Sequence, residues 1–99
     1  MAIDDLEAAL RDKAQATSGL NALIAFDLGD AGALYLDGTR TPPSVSQEGG
    51  EPDTTITISA DDFSELLAGR LNPMSAFGAG RLKVRGDMGP AMKLGALFG

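Results

Sequence analysis

The chain has 99 residues, 43% of them hydrophobic and 22% charged, the composition of one folded globular domain rather than of a disordered or fibrous chain. A formal net charge of −6 works against nonspecific nucleic-acid binding. With no Cys and no His, disulfides, thiolate chemistry, the common catalytic triads and the HExxH zinc site are excluded.

Ile3, Leu6 and Leu10 recur at helical spacing, with Asp4, Asp5 and Glu7 early and Arg11 and Lys13 late. That order complements the helix dipole and predicts an amphipathic helix over 3–15, ended by Thr17-Ser18-Gly19. Residues 20–28 read as a strand. Ala22, Ile24, Phe26 and Leu28 lie on one face, and Asn21, Leu23, Ala25 and Asp27 on the other. The second face is not fully polar, which suits a central strand. Gly29-Asp30-Ala31-Gly32 is a hairpin turn. Residues 33–36 return with Leu34 and Leu36 inward and Tyr35 outward, and Asp37-Gly38 turns again. The pattern around Ser44-Val45-Ser46-Gln47, preceded by Thr41-Pro42-Pro43, predicts an edge strand, since proline beside a strand suits an edge. Residues 48–52 form the crossover to the next strand.

From Asp53 onward every junction carries a start or stop signal. Thr54, Ile56 and Ile58 alternate with Thr55, Thr57 and Ser59, the period of a half-buried strand. Ser59 caps a helix bearing Phe63, Leu66 and Leu67, with Asp62 placed for a reciprocal cap and Gly69 for a left-handed exit. Asn72-Pro73 opens a second short helix, Met74 and Phe77 share its inner face, and Gly78-Ala79-Gly80 ends it. In Arg81-Leu82-Lys83-Val84-Arg85 the aliphatic residues point inward and the cations outward. Gly86-Asp87 turns into a last helix, with Pro90 in its first turn, where proline is tolerated. Met88, Ala91, Met92 and Gly95 line one side of it, and Leu94, Leu97 and Phe98 widen the apolar arc. A helix apolar on more than one stripe needs more than one partner surface: the sheet, and then a lipid chain, a dimer mate or another helix.

The run Thr-Ile-Thr-Ile-Ser-Ala-Asp-Asp-Phe, then Leu-Ala-Gly-Arg-Leu-Asn-Pro-Met-Ser-Ala-Phe, then Gly-Arg-Leu-Lys-Val-Arg-Gly-Asp-Met, resembles the sterol carrier protein 2 (SCP-2) domain. The likeness continues through Ala91-Met92-Lys93-Leu94, and Phe26-Asp27-Leu28 before a glycine turn also suits it. The resemblance implies an α+β fold: a five-stranded twisted mixed sheet with helices packed on one face around an apolar cavity. It implies binding and transfer of lipids such as fatty acids, fatty acyl-CoA or sterols, without an enzymatic reaction. SCP-2-like domains also serve as appendages of larger enzymes and as accessory proteins in quinone-lipid biosynthesis, so an accessory or dimerisation module is the alternative. The segment between Asp37 and Asp53 has no specific match to the family pattern, which leaves one wall of the cavity unplaced.

By composition alone, the methionines and phenylalanines read as plain core with methionine as filler. The resemblance turns them toward a cavity lined by Phe26, Phe63, Leu67, Met74, Phe77, Leu82, Met88, Met92 and Leu97. Arg81, Lys83 and Arg85 read either as a solvated sheet face or as a docking patch for phosphate groups, of a CoA moiety or of anionic lipid headgroups. The acid pairs Asp4-Asp5 and Asp61-Asp62 are helix N-terminal charges rather than catalytic dyads, because neighbours on a helix point apart. The expected partners are therefore a lipid or other apolar small molecule, transient contact with a membrane surface and a homodimer mate, with no nucleic acid, no metal and no cofactor. No apolar run approaches the roughly 20 residues of a membrane helix. The first residues lack a secretory pattern and Ala96-Leu97-Phe98-Gly99 is not a peroxisomal address, so the expected location is cytoplasmic.

Overall fold

A computed structural model describes residues 3–15, 20–40 and 43–98, with side chains as far as residue 95. The expected helix stop at Thr17-Ser18-Gly19 and the approach to the edge strand at Thr41-Pro42 lie outside the described residues. The elements are α1 (Ile3–Ala14), β1 (Leu23–Asp27), a single 3-10 turn (Gly29–Ala31), β2 (Ala33–Asp37), β3 (Ser44–Ser46), β4 (Thr54–Ile58), α2 (Ala60–Leu67), α3 (Pro73–Gly78), β5 (Leu82–Gly86) and α4 (Met88–Phe98). The fold is α+β, with one five-stranded mixed sheet in the order β3-β2-β1-β4-β5.

β1 is central. It pairs antiparallel with β2 and parallel with β4, while β5 closes antiparallel on β4. The register places Val45, Leu36, Ile24 and Thr54 in one row, and Leu34, Phe26, Ile56 and Val84 in the next. All are on the same face, because side chains alternate along each strand. This is the face the helices cover. The opposite face carries Tyr35, Ala25, Thr55 and Arg85 in one row. The crossover from β3 to β4 passes over this outer face. There Gly49 lies so close to Tyr35 that a Cβ on it would sit 2.5 Å from the ring.

The first strand is shorter than its pattern. Asn21 adopts a left-handed φ of 51°, which breaks the extended run, and Leu28 leaves the strand to lead the 3-10 turn. Leu20, Ala22 and Leu28 are nonetheless buried, so alternation there reported burial rather than strand. Asp27 ends the strand by accepting the Gly29 amide at 3.0 Å.

α1 inserts Leu6, Leu10 and Ala14 against the β2–β3 side. Gln47 ties the end of the edge strand to α1 by donating to Asp4 and Glu7 at 2.6 and 2.8 Å. The Gln47 and Arg11 hydrogen bonds hold the Glu7 carboxyl below the usual carboxylate range. Phe63 of α2 meets Phe26 of β1 with ring centroids 5.0 Å apart and tilted by 38°. That aromatic pair joins the helix layer to the middle of the sheet.

Candidate functional site

The site grows from three junctions near the β4–β5 end of the sheet. At the first, Asn72 caps α3. Its Oδ1 accepts from the amides of Met74 and Ser75 at 2.8 and 3.2 Å, and Pro73 occupies the first helical position. At the second, Gly80 exits with a φ of 77°, and the Arg81 amide bonds to Ala76 O at 2.9 Å as the chain turns into β5. Only Ala76 of α3 is buried, so the helix stands on one small residue and its larger side chains overhang.

The third junction is Gly86-Asp87. Gly86 has a φ of 88°, and a Cβ there would lie 2.5 Å from the Asp53 carbonyl oxygen. Glycine is required on both counts. The Asp87 amide donates to that same oxygen at 3.0 Å, the Thr54 hydroxyl donates to Asp87 O at 2.5 Å, and Asp87 Oδ1 accepts from Gly89 N at 2.9 Å. Thr54 is the buried polar residue of the sheet, and this bond satisfies it. The start of α4 is thereby fixed to the start of β4. Leu94 enters the core at 1% exposure, while Met88 and Met92 stay out at 48% and 74%.

Between α3, α4 and the sheet lies an open cleft of about 450 Å³. Its floor is Phe26, Ile56, Leu66, Leu82 and Leu94, all buried. Val84, Ala91, Gly95 and Pro73 form the walls. Met74, Phe77, Met88 and Met92 form the rim, with Met74 76% exposed and Phe77 48% exposed. Asn72 is the polar side chain of the lining. Its oxygen is committed to the cap of α3, which leaves the amide NH2 as a donor.

The structure therefore brings Phe26, Met74, Phe77, Leu82, Met88 and Met92 together. Phe63 and Leu67 belong elsewhere. Both are buried in the core, Phe63 behind Phe26, and neither lines the cleft. The Leu97 side chain lies outside the described residues. The expected inner face of α3 is corrected as well: Met74 and Phe77 are exposed, because α3 seats only Ala76 in the core. Ile56, Leu66 and Leu94 were not singled out as lining. Ile56 could be found once the register is known, since it sits between Phe26 and Val84. Leu66 and Leu94 could not, because nothing in a helical stripe says which part of it meets a hollow.

Arg81 is not part of an outward trio. Its guanidinium grips the Asp62 carboxylate through both Nε and Nη2, tying β5 to the first turn of α2. Asp62 donates its own amide to Ser59 Oγ at 3.1 Å, but its side chain is turned to Arg81 instead of closing a reciprocal cap. The Arg81 hydrogen bond holds the Asp62 carboxyl below its usual range. Arg70 is likewise committed to Glu65 at 2.6 Å. Lys83 and Arg85 remain on the outer face, exposed, without an ion pair among the described residues. They border a second recess with Thr57, Gly80 and Phe77, which meets the first cleft along Phe77, Leu82 and Val84.

Among the described residues, no group of three or more His, Cys, Asp or Glu side chains is placed to hold a metal ion, and no helix is long and apolar enough to cross a membrane.

The comparisons with known proteins agree with this fold. A profile of the SCP-2 sterol transfer family matches residues 3–99. Peroxisomal multifunctional enzyme A of Dictyostelium discoideum is 53% identical over 48 residues, which is 48% of this chain and 11% of that protein. Human sterol carrier protein 2 is 55% identical over 42 residues, covering 42% of this chain and 8% of that protein. The chain thus matches only a small part of the length of these relatives. The solution structure of the sterol carrier protein domain 2 of Helicoverpa armigera superimposes with a TM-score of 0.70 at 30% identity, covering 96% of this chain and 80% of that one.

Proposed function

The chain belongs to the SCP-2 sterol transfer family, and on that premise we propose that it works as a single non-catalytic module whose cleft takes one apolar small molecule: a fatty acid, a fatty acyl-CoA or a sterol-like lipid. The observation that carries this is a hollow of about 450 Å³ with an almost wholly apolar lining and four large apolar side chains held at its rim. That volume falls in the range of about 300–1,000 Å³ usual for small-molecule sites. A small domain gains stability by burying such side chains, roughly 1.5–3 kcal/mol for each one fully buried. Leaving Met74, Phe77, Met88 and Met92 outside is unfavourable unless something apolar covers them. Methionine suits this role, since its unbranched thioether follows guests of different shape.

Affinity comes from the apolar surface removed from water, less the cost of ordering the guest. Orientation comes from Asn72. A carboxylate or hydroxyl at one end of the lipid accepts from its free amide, while the hydrocarbon lies on Phe26, Ile56 and Leu94. Asn72→Asp separates the two roles of this residue. Aspartate caps a helix as well as asparagine does, but it repels a carboxylate.

The test is titration of a fluorescent fatty acid, with native mass spectrometry of the protein as purified. Saturable binding of one molecule, competed by unlabelled lipid and weakened about tenfold by Asn72→Asp, is the expected result. A probe that stays dim at micromolar protein, with no lipid co-purifying, overturns the reading.

A further inference from the structure

We propose that the mouth of the cleft is a site of reversible oxidation: peroxide converts the thioethers of Met74, Met88 and Met92 to sulfoxides, and the oxidised rim loses its hold on an apolar guest. The inference rests on the lipid reading of the cleft and adds a chemical control of its occupancy.

Three observations carry it. The first is the sulfur inventory. The chain has no Cys and four Met, and Met1 lies outside the described residues. The other three all line the cleft. Among the described residues, no methionine belongs to the buried core. An oxidant that attacks sulfur therefore acts at the mouth and leaves the core alone. The second is access. Met74 and Met92 are mostly exposed and Met88 is half-exposed. Oxidation follows exposure, so a soluble peroxide reaches all three without any opening of the fold. The third is placement. Met88 and Met92 are four residues apart on α4, one turn along the same face. Met74 stands on α3. Since the cleft lies between these helices, the sulfurs flank its opening instead of being scattered over the surface.

The step balances with peroxide as co-reactant. A sulfur lone pair attacks one peroxide oxygen, and the S–O bond forms as the O–O bond breaks. The transferred oxygen gives its proton to the departing hydroxide, which leaves as water. Sulfur is oxidised by two electrons and the peroxide is reduced by two. The product is a polar, chiral sulfoxide in place of a flexible apolar tip. Facing water, the new oxygen costs the fold little. Under a hydrocarbon chain it gives up its water for no donor in return, which disfavours the bound state. The bonds that hold the start of α4, at Thr54, Asp53 and Asp87, involve no sulfur and are untouched. Oxidation thus empties the cleft without unfolding the domain. The change is reversible, because each sulfoxide epimer has its own reductase.

The experiment is treatment of the whole chain with dilute hydrogen peroxide, followed by peptide mass mapping, a urea midpoint and titration of a fluorescent fatty acid. A single added oxygen is expected on each of Met74, Met88 and Met92. The midpoint is expected to stay at its unoxidised value while fatty-acid affinity falls about tenfold. Methionine sulfoxide reductases of both epimer specificities, with a thiol reductant, are expected to restore that affinity. Saturating fatty acid added first is expected to slow the modification, because the guest covers the sulfurs. In the combined variant Met74→Leu, Met88→Leu and Met92→Leu, whatever affinity it starts with, peroxide is expected to change nothing. Rim methionines left unmodified, a midpoint that falls together with affinity, or an equal loss in the triple leucine variant would each overturn the proposal. A probe that stays dim before peroxide is added overturns the lipid reading and this inference with it, whereas binding that survives oxidation of the rim overturns this inference alone.

Discussion

The two ends of the sheet use apolar residues in opposite ways. At the β2–β3 end, α1 lies flat on the strands, and Leu6, Leu10, Leu34 and Leu36 are at most 1% exposed. At the β4–β5 end, α3 and α4 leave an open cleft over the strands, and Met74 and Met92 are exposed at 76% and 74%. Both ends carry large apolar side chains on their helices. They differ in what sets the helix position. α1 seats its own leucines in the core and is tied to the edge strand by Gln47 and Arg11, whereas the start of α4 is held by polar and backbone bonds at Thr54, Asp53 and Asp87. Bonds to the backbone fix the helix without requiring its side chains to fill the space below. A small protein can therefore keep a closed half and an open half on one sheet.

The sharpest way to break the contrast is to truncate the closed end. Leu36→Ala leaves a void beneath α1 and is expected to cost about 2–5 kcal/mol, read from the urea midpoint, with the fluorescent-lipid signal of the remaining folded fraction unchanged. An effect below about 1 kcal/mol would mean that this end is no better packed than the other. Next in size is the hinge. Gly86→Ala forces a β-carbon against the Asp53 carbonyl at an unfavourable φ and is expected to destabilise by about 1–3 kcal/mol. Since that hinge positions α4, lipid affinity should fall as well, and a stable variant with full affinity would show that the cleft does not depend on it.

At the open end the expectation reverses. Met92→Ala should change stability by no more than about 0.5 kcal/mol, as for an exposed residue. It should weaken a bound lipid about tenfold, because the lost contacts are with the guest. Equilibrium unfolding and probe titration on the same sample give both numbers. A variant that loses stability and keeps affinity would place Met92 in the core in solution.

The smallest effect concerns pH. Asp62 and Glu7 have folded pKa values below their ordinary 3.8 and 4.5, lowered chiefly by the hydrogen bonds from Arg81 and Gln47. A carboxyl depressed in the folded state contributes stability above its unfolded value, and that contribution is lost as pH falls through the folded one. Arg81→Gln removes the main partner of Asp62. Its urea midpoint should lie below wild type at neutral pH, and the gap should close on acidification below about pH 4. A gap independent of pH would show that Arg81 acts through packing alone.

Much of this molecule was readable along the chain. The Ser59 and Asn72 caps, the proline at the head of α3, the turn before β2, the edge position of β3 and the alternation in β4 and β5 all depend on neighbours a few residues away, and the structure keeps them. The length of β1 was misread, since Ala22 and Leu28 alternate in burial although Asn21 and the 3-10 turn lie outside strand geometry. Local chemistry is visible in local sequence, and conformation at a strand end is less so, because burial and extension are separate properties.

What the sequence by itself determined was the set of elements, their order, the family and a surplus of apolar side chains in the second half. Only the tertiary structure decided which of them are core and which are rim. Phe63 and Met74 are both apolar residues of short capped helices, yet one is fully buried and the other is exposed. The physical reason is that burial belongs to pairs of surfaces. Periodicity says that a helix has an oily stripe, but the distance to the sheet beneath it is set by contacts made far away in the chain, here between Gly86, Asp87 and the strand that begins at Thr54.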